Sequence, residues 1–130
     1  GHNYHVTVEV EGRLTEGDVV LDFIPFKPIV KECCDELDHL TILPARSPWL
    51  RVERVDNEVH AFHKEDRFVF PAKDVLILPI TNTSSERLAE YLAGQILERT
   101  TTRMPGGQIG RIRVEVQESP GQAAIYEQTL

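Results

Sequence analysis

The sequence predicts an α+β domain in which two helices cover one face of an antiparallel sheet. An alternating, strand-like segment opens the chain, two segments carry apolar residues at helical spacing, and two further strand-like segments close it. With 130 residues, the chain is long enough to bury a core, and we assign residues 1–130 to a single domain.

The first predicted element is a half-buried strand over residues 4–12. Val6, Val8 and Val10 alternate with polar residues, so the two sets face opposite sides of the strand. A turn then leads to residues 19–23, which are expected to form a second strand and to complete a hairpin.

The first helix is expected to follow this hairpin. Pro25 and Pro28 are tolerated in a first helical turn, and the helical spacing of apolar residues ends near Leu37. Asp22 precedes the helix and is expected to cap it, with direct contact to a substrate as the alternative.

The second helix is predicted to begin at a capping box. Thr83 and Glu86 have the spacing of such a box, and the apolar face then continues to about Arg103. The two strands that close the chain are expected over residues 109–116 and 123–127.

Residues 44–72 predict a small β-meander inserted between the two helices. Three short strand-like runs alternate with turn residues in this segment, and residues 75–78 form a strand that returns to the main domain. His60 and His63 are three positions apart on one run. They therefore point to opposite faces and are not expected to share a metal.

Composition and charge narrow the classes of function. The chain has 14 basic and 21 acidic residues, and its formal net charge is −7. This balance argues against nucleic acid as the main partner but allows a small phosphorylated substrate. No apolar run approaches the roughly 20 residues of a membrane span. The adjacent Cys33 and Cys34 are expected to be reduced and packed on a helix in a cytoplasmic protein.

A histidine lies at the start of the chain, ahead of the first strand. Gly1-His2-Asn3-Tyr4 resembles the Leu-His-Gly-His-Asn-Tyr signature of the 6-pyruvoyltetrahydropterin synthase family. In that family, the two histidines of the signature and a third from the preceding strand hold zinc. The resemblance implies that His2 is a zinc ligand and that the other two ligands precede Gly1. The alternative is a solvated terminus or a tag remnant.

An aspartate and a histidine end the first helical pattern. Leu37-Asp38-His39 resembles the family's Leu-Asp-His, which implies that Asp38 and His39 are catalytic. In the family this pair helps a cysteine to move protons on and off the substrate side chain. Adjacent residues on a helix do not face each other, so the pair must lie where the helix unwinds. The alternative is an ordinary polar helix end.

The start of the second helix also resembles the family. Thr83-Ser84-Ser85-Glu86 is similar to its Pro-Thr-Ala-Glu motif, which implies that Ser84, Ser85 and Glu86 bind the substrate. The N-terminus of a helix offers free N–H groups for such a contact. The alternative is a plain helix cap.

The last hairpin carries the fourth resemblance. Residues 114–119 resemble the family's Val-x-Val-x-Glu-Thr pattern, which implies that Glu118 anchors the pterin. A pterin presents a ring N–H beside an exocyclic amine, and one carboxylate can accept both hydrogen bonds. The alternative is a solvated glutamate in a turn.

These motifs cover nearly the whole chain outside residues 44–72, and together they imply a zinc-dependent pterin synthase with the tunnelling fold. The family acts on 7,8-dihydroneopterin triphosphate, and its branches make 6-pyruvoyl-, 6-carboxy- or 6-hydroxymethyl-tetrahydropterin products. The sequence leaves the branch open. Family members form trimers or hexamers with active sites between subunits, so a homo-oligomer is expected.

Two alternatives to an active synthase remain at this stage. The first is a catalytically inactive pterin-binding or structural relative of the same fold. The second is an unrelated α+β binding module with neither metal nor pterin, since a shared fold does not establish a shared function. The family's usual catalytic cysteine lies just before its histidine signature, and neither Cys33 nor Cys34 matches that position.

Overall fold

The main sheet of the computed structural model contains the first strand and the last two. The structure describes residues 3–119 and 121–130. In chain order, the elements are β1 (His5–Gly12), α1 (Phe23–Asp35), β2 (Thr41–Pro44), β3 (Arg51–Val55), β4 (Glu58–His63), β5 (Asp66–Pro71), β6 (Val75–Leu78), α2 (Ser85–Arg103), β7 (Ile109–Ser119) and β8 (Gln122–Thr129). In the main sheet β7 lies between β1 and β8, and both pairings are antiparallel. The predicted α+β class is confirmed.

Both helices pack on the same face of this sheet, as predicted. The alternate valines of β1 face a core to which α1 contributes Phe26 and Ile29. Helix α2 contributes Ile96, which has 0% of its surface exposed, and β7 contributes Ile112 and Val114. Packing of the helices on the sheet therefore buries the apolar stripe of each element.

Replacing Ile96 by alanine is expected to lower the free energy of unfolding by about 2–5 kcal/mol. The side chain lies between α2 and the sheet with none of its surface exposed, so the shorter side chain leaves a cavity. Thermal or urea unfolding measures the loss. Ile24 is the matched control, because it is 84% exposed and its replacement by alanine should change stability by less than about 0.5 kcal/mol. Equal losses in the two variants would contradict this packing.

The predicted second strand over residues 19–23 does not form, and the hairpin prediction is wrong. The Thr15 N–H donates to the Val19 carbonyl at 2.6 Å, and the Val20 carbonyl accepts a single long bond of 3.5 Å from the Gln108 N–H. Asp22 accepts a hydrogen bond from the Ile24 N–H at 2.9 Å and caps α1, so the chain is already helical at residue 23. The prediction that Asp22 is a cap is confirmed.

The start of α2 is one residue later than the predicted capping box requires. Ser84 is the N-cap, and its hydroxyl accepts a hydrogen bond from the Arg87 N–H at 3.3 Å. The Thr83 N–H is instead bound by the side-chain oxygen of Asn82 at 2.8 Å. The capping box of Thr83 and Glu86 is therefore wrong, although the helix does end at Arg103 as expected.

The segment between the helices forms two small sheets. Strands β3, β4 and β5 make the predicted antiparallel meander, with turns at residues 56–57 and 64–65. Strands β2 and β6 form a parallel pair that the sequence analysis missed, in register from Thr41 opposite Val75 to Pro44 opposite Leu78. A cluster around Leu43, Val59 and Ala61 packs the meander on this pair.

The two cysteines are free and lie on α1, in agreement with the prediction that they are reduced and packed. Cys33 is 2% exposed in the main core, and burial raises the pKa of both thiols. Both groups are therefore poor nucleophiles in this environment. Among the described residues, no helix is both long and apolar enough to cross a membrane.

Candidate active site

The strand register places the start of the chain beside the end of β7. His5 of β1 lies opposite Gln117 of β7, and the two strands run in opposite directions from there. Asn3 and Tyr4, which precede β1, are therefore at the same end of the sheet as Glu118. His2, the predicted zinc ligand, lies outside the described residues.

Helix α2 brings its first turn towards this same end. Only five residues lie between the end of the helix at Arg103 and the start of β7 at Ile109, and the buried face of the helix packs along β7 in the opposite direction. Its 19 residues span about 28 Å, which is about four fifths of the length of about 36 Å that the 11 residues of β7 span. Ser84, Ser85 and Glu86 therefore lie towards the Glu118 end of the strand.

Helix α1 runs antiparallel to α2, and ion pairs between the helices show this direction. Arg103 pairs with Glu32 at 2.7 Å, and Arg99 pairs with Glu36 at 2.6 Å, so later residues of α1 meet earlier residues of α2. The hydrogen bond from Arg103 holds the pKa of Glu32 below its usual value. The carboxyl end of α1 therefore points towards the amino end of α2.

A small apolar cluster holds the turn after α1 against the start of α2. Leu37 packs against buried Ile80 and Leu88, together with residues of β2 and β6. Because Leu37 directly precedes Asp38 and Leu88 lies in the first turn of α2, the Asp38–His39 turn and the start of α2 are neighbours. The described part of the predicted site thus gathers at one end of the domain.

Glu118 lies at an irregularity in the last hairpin. Gln117 pairs with Ala123 and Ser119 pairs with Gln122, so Glu118 is an extra residue without a partner position on β8. Such a bulge re-aims a side chain and is common beside active sites. Glu118 is half-buried, and its carboxylate has no hydrogen bond or ion pair to another described residue. It is therefore free to accept hydrogen bonds from a ligand.

Asp38 and His39 lie in the turn that follows α1, where the helix has already ended. The last helical residue is Asp35, and His39 has a φ of 60°, a left-handed conformation that histidine adopts more readily than most residues. The Asp38 carboxylate lies 3.5 Å from Nε2 of His39, and the two side chains are 64% and 93% exposed. The expected location beyond the helix is confirmed, and the catalytic role remains a prediction.

The first turn of α2 offers several hydrogen-bond donors. The Ser84 hydroxyl accepts a bond from the Arg87 N–H and can still donate its own proton. The N–H groups of Ser85 and Glu86 have no carbonyl partner within the helix, because no helical turn precedes the first one. This arrangement can bind carbonyl oxygens or anionic groups of a ligand.

Within residues 3–119 and 121–130, no group of three or more His, Cys, Asp or Glu side chains is arranged to hold a metal ion. In the meander, Nε2 of His60 lies 3.4 Å from the Glu58 carboxylate. The described residues therefore do not form a zinc site by themselves, and the prediction for His2 remains open.

Arg46 was given no role from the sequence. The parallel pair of β2 and β6 brings it to the end of the domain where the candidate site lies. The Ala45 N–H donates to the Leu78 carbonyl at 2.8 Å, and the Arg46 N–H donates to the Ile80 carbonyl at 3.0 Å. A signal was present in the sequence, since Ile-Leu-Pro occurs at residues 42–44 and again at 77–79. Two similar short apolar runs are candidates for pairing with each other.

Comparisons with known proteins agree on one family. The sequence model of the family described as 6-pyruvoyl tetrahydropterin synthase matches residues 1–129. A Methanocaldococcus jannaschii protein, provisionally named 6-carboxy-5,6,7,8-tetrahydropterin synthase, is 37% identical over 131 residues, which are 100% of this chain and 80% of that protein.

Solved structures give the same result for the fold. The 6-pyruvoyl tetrahydropterin synthase of Plasmodium falciparum superposes with a TM-score of 0.90 at 34% identity, and that of Plasmodium vivax with a TM-score of 0.90 at 28% identity. Each match covers 99% of this chain and 80% of the other. In two further structures of the P. vivax protein, a glutamate named as a catalytic residue is replaced by alanine or cysteine.

Proposed function

Because the chain belongs to the 6-pyruvoyl tetrahydropterin synthase family, we propose that it is a zinc-dependent pterin synthase that acts on 7,8-dihydroneopterin triphosphate. This proposal depends on one observation: Glu118, the start of α2 and the Asp38–His39 turn all lie at the same end of the domain. As product we propose 6-carboxy-5,6,7,8-tetrahydropterin, because the 37% identical archaeal relative carries the name of that synthase.

Glu118 is the proposed anchor of the pterin ring. Its carboxylate accepts the ring N–H and the adjacent exocyclic amine, two parallel donors that match its two oxygens. The lack of a partner among the described residues supports this role, since a carboxylate already engaged in an ion pair would have to give it up. Ser84, Ser85 and Glu86 offer N–H and hydroxyl donors to the same ring from the start of α2.

Asp38 and His39 are the proposed proton-transfer pair. The carboxylate of Asp38 near Nε2 of His39 favours the tautomer with its proton on Nε2, which leaves Nδ1 able to accept a proton from the substrate side chain. In the P. vivax relative, the residue named as catalytic is a glutamate. The pair then assists a base that is not among the described residues.

His2 is the proposed zinc ligand of this chain, and the other two ligands are expected ahead of Gly1. When bound, zinc supplies Lewis acidity towards the hydroxyl groups of the substrate side chain. The described residues contribute to this chemistry by holding the pterin and by accepting and returning protons.

We further propose that a homo-oligomer, a trimer or hexamer, completes the site. Asp38 and His39 are 64% and 93% exposed in the single chain, whereas proton transfer benefits from a site that excludes water. Among the described strands, β1 and β8 each leave one edge of the main sheet unpaired. Pairing of such edges between copies would cover both the edges and the site.

The zinc content of the full-length protein tests this proposal. We expect about one zinc per subunit in the unchanged protein, loss of that zinc in His2→Ala, and no loss in His63→Ala, which removes a histidine of the meander. Absence of zinc from the unchanged protein would contradict the proposed enzyme. If such a protein still bound pterin, the inactive pterin-binding relative would be the better description.

A further inference from the structure

We propose that Arg46 binds the phosphate groups of the substrate and thereby selects phosphorylated over unphosphorylated pterins. This inference rests on the proposed function, because it concerns the tail of the same substrate. A net charge of −7 repels a triphosphate, so a local cation must offset the repulsion at the site.

Most arginines near the helices and the main sheet are already paired with carboxylates. Arg87, in the first turn of α2, pairs with Glu90 at 3.1 Å. Arg99 and Arg103 pair with α1 along the later part of α2, away from its first turn. The arginines on the other face of the main sheet are also paired, with glutamates of β1 and β8. A phosphate tail would have to displace a carboxylate from any of these groups.

Arg46 differs in having no such partner. It is exposed, and its guanidinium has no hydrogen bond or ion pair to another residue in the described part of the chain. Its backbone is nevertheless fixed, because its N–H donates to the Ile80 carbonyl at 3.0 Å. Ile80 is 7% exposed and packs against Leu88 of α2, so the anchor of Arg46 belongs to the site's own apolar cluster.

The path from this anchor to the proposed pterin site is short. Ser84, the cap of α2, is four positions after Ile80 in the sequence, and four residues of extended chain span at most about 14 Å. A pterin held at the start of α2 carries its phosphates on a side chain at position 6, and this tail together with the arginine side chain can bridge that span. Arginine is also the side chain best suited to phosphate, because its planar fork donates two parallel hydrogen bonds.

The test compares two ligands in matched variants of the full-length, zinc-loaded protein. The Kd for 7,8-dihydroneopterin triphosphate should rise about 10- to 100-fold in Arg46→Ala, as expected for loss of a charge-assisted contact. The Kd for 7,8-dihydroneopterin, which lacks the phosphates, should change less than twofold. Arg46→Lys should recover part of the affinity for the triphosphate. Arg67→Ala is the control, since Arg67 on β5 is also exposed and also lacks a partner among the described residues.

The outcomes separate this inference from the proposed function. Equal weakening of both ligands in Arg46→Ala, or unchanged binding of both, would overturn the role of Arg46 while leaving the pterin site intact. A triphosphate effect of equal size in Arg67→Ala would show a general charge effect and would also overturn it. If the unchanged protein bound neither ligand, the proposed function would fail and this inference with it. Unfolding temperatures within a few degrees of each other establish that the variants are folded.

Discussion

Replacing Glu118 by glutamine is expected to raise the Kd for the pterin substrate by about a hundredfold or more. Two charge-assisted hydrogen bonds to the carboxylate are each worth about 1.5–3 kcal/mol. Glutamine presents one acceptor and one donor in place of two acceptors, so its amide N–H₂ would face a donor of the pterin. The substitution loses one bond and creates a repulsive contact.

Glu118→Gln should leave the stability of the fold nearly unchanged, which separates a binding role from a structural one. The side chain is half-buried, and its carboxylate makes no bond to another described residue. Equilibrium titration with 7,8-dihydroneopterin measures the binding of the ring without the phosphates. Glu65→Gln is the control, because Glu65 is an exposed turn glutamate of the meander. Pterin affinity that survives in Glu118→Gln would show that the ring is held elsewhere.

Replacing His39 by asparagine is expected to lower kcat by about 10²- to 10⁴-fold, the usual contribution of a positioned acid or base. Asparagine tolerates the left-handed backbone that His39 adopts at a φ of 60°, so the turn is retained while the imidazole ring is lost. The Kd of the substrate should change little, because the proposed role of His39 is in proton transfer and not in holding the ring.

Rapid-mixing kinetics with 7,8-dihydroneopterin triphosphate separate the loss in kcat from a loss in binding. His63→Asn serves as the control, since it makes the same exchange on a strand of the meander. Asp38→Asn should give a smaller loss than His39→Asn, because the carboxylate orients the ring and does not itself take the proton. Unchanged turnover in His39→Asn would show that Asp38 and His39 form an ordinary polar helix end and take no part in catalysis.

The main sheet and both helices could be predicted because each leaves a periodic pattern in the sequence. The alternating valines of β1 and the helical spacing in α2 are long enough to specify both the element and its buried face. The cap at Asp22 was predictable for a related reason, because an aspartate directly before a helical pattern has a defined role.

The failures occurred where short segments depend on distant partners. Residues 19–23 are apolar enough for a strand, but their position beside Gln108 offers one long hydrogen bond, and the cap at Asp22 starts a helix instead. Four-residue β2 has too few positions to show a period, and its parallel pairing with β6 depends on a connection across the whole meander. Arg46 was overlooked for this reason.

The candidate site was predicted from motifs, whereas its assembly required the fold. Asp38–His39, the start of α2 and Glu118 are far apart in sequence. They come to one end of the domain only because α2 runs antiparallel to both α1 and β7. No periodic pattern specifies such directions. The bulge that frees Glu118 from regular pairing is likewise a property of the folded hairpin, and its residue types alone do not indicate it.

The most direct test of the central claim is product analysis of the full-length, zinc-loaded protein with 7,8-dihydroneopterin triphosphate. Mass spectrometry should detect 6-carboxy-5,6,7,8-tetrahydropterin together with released acetaldehyde and triphosphate. Formation of the 6-pyruvoyl product would show that the chain is a pterin synthase but belongs to a different branch of the family. Binding of the substrate without any turnover would contradict the claim and identify the chain as a pterin-binding relative that has lost catalysis.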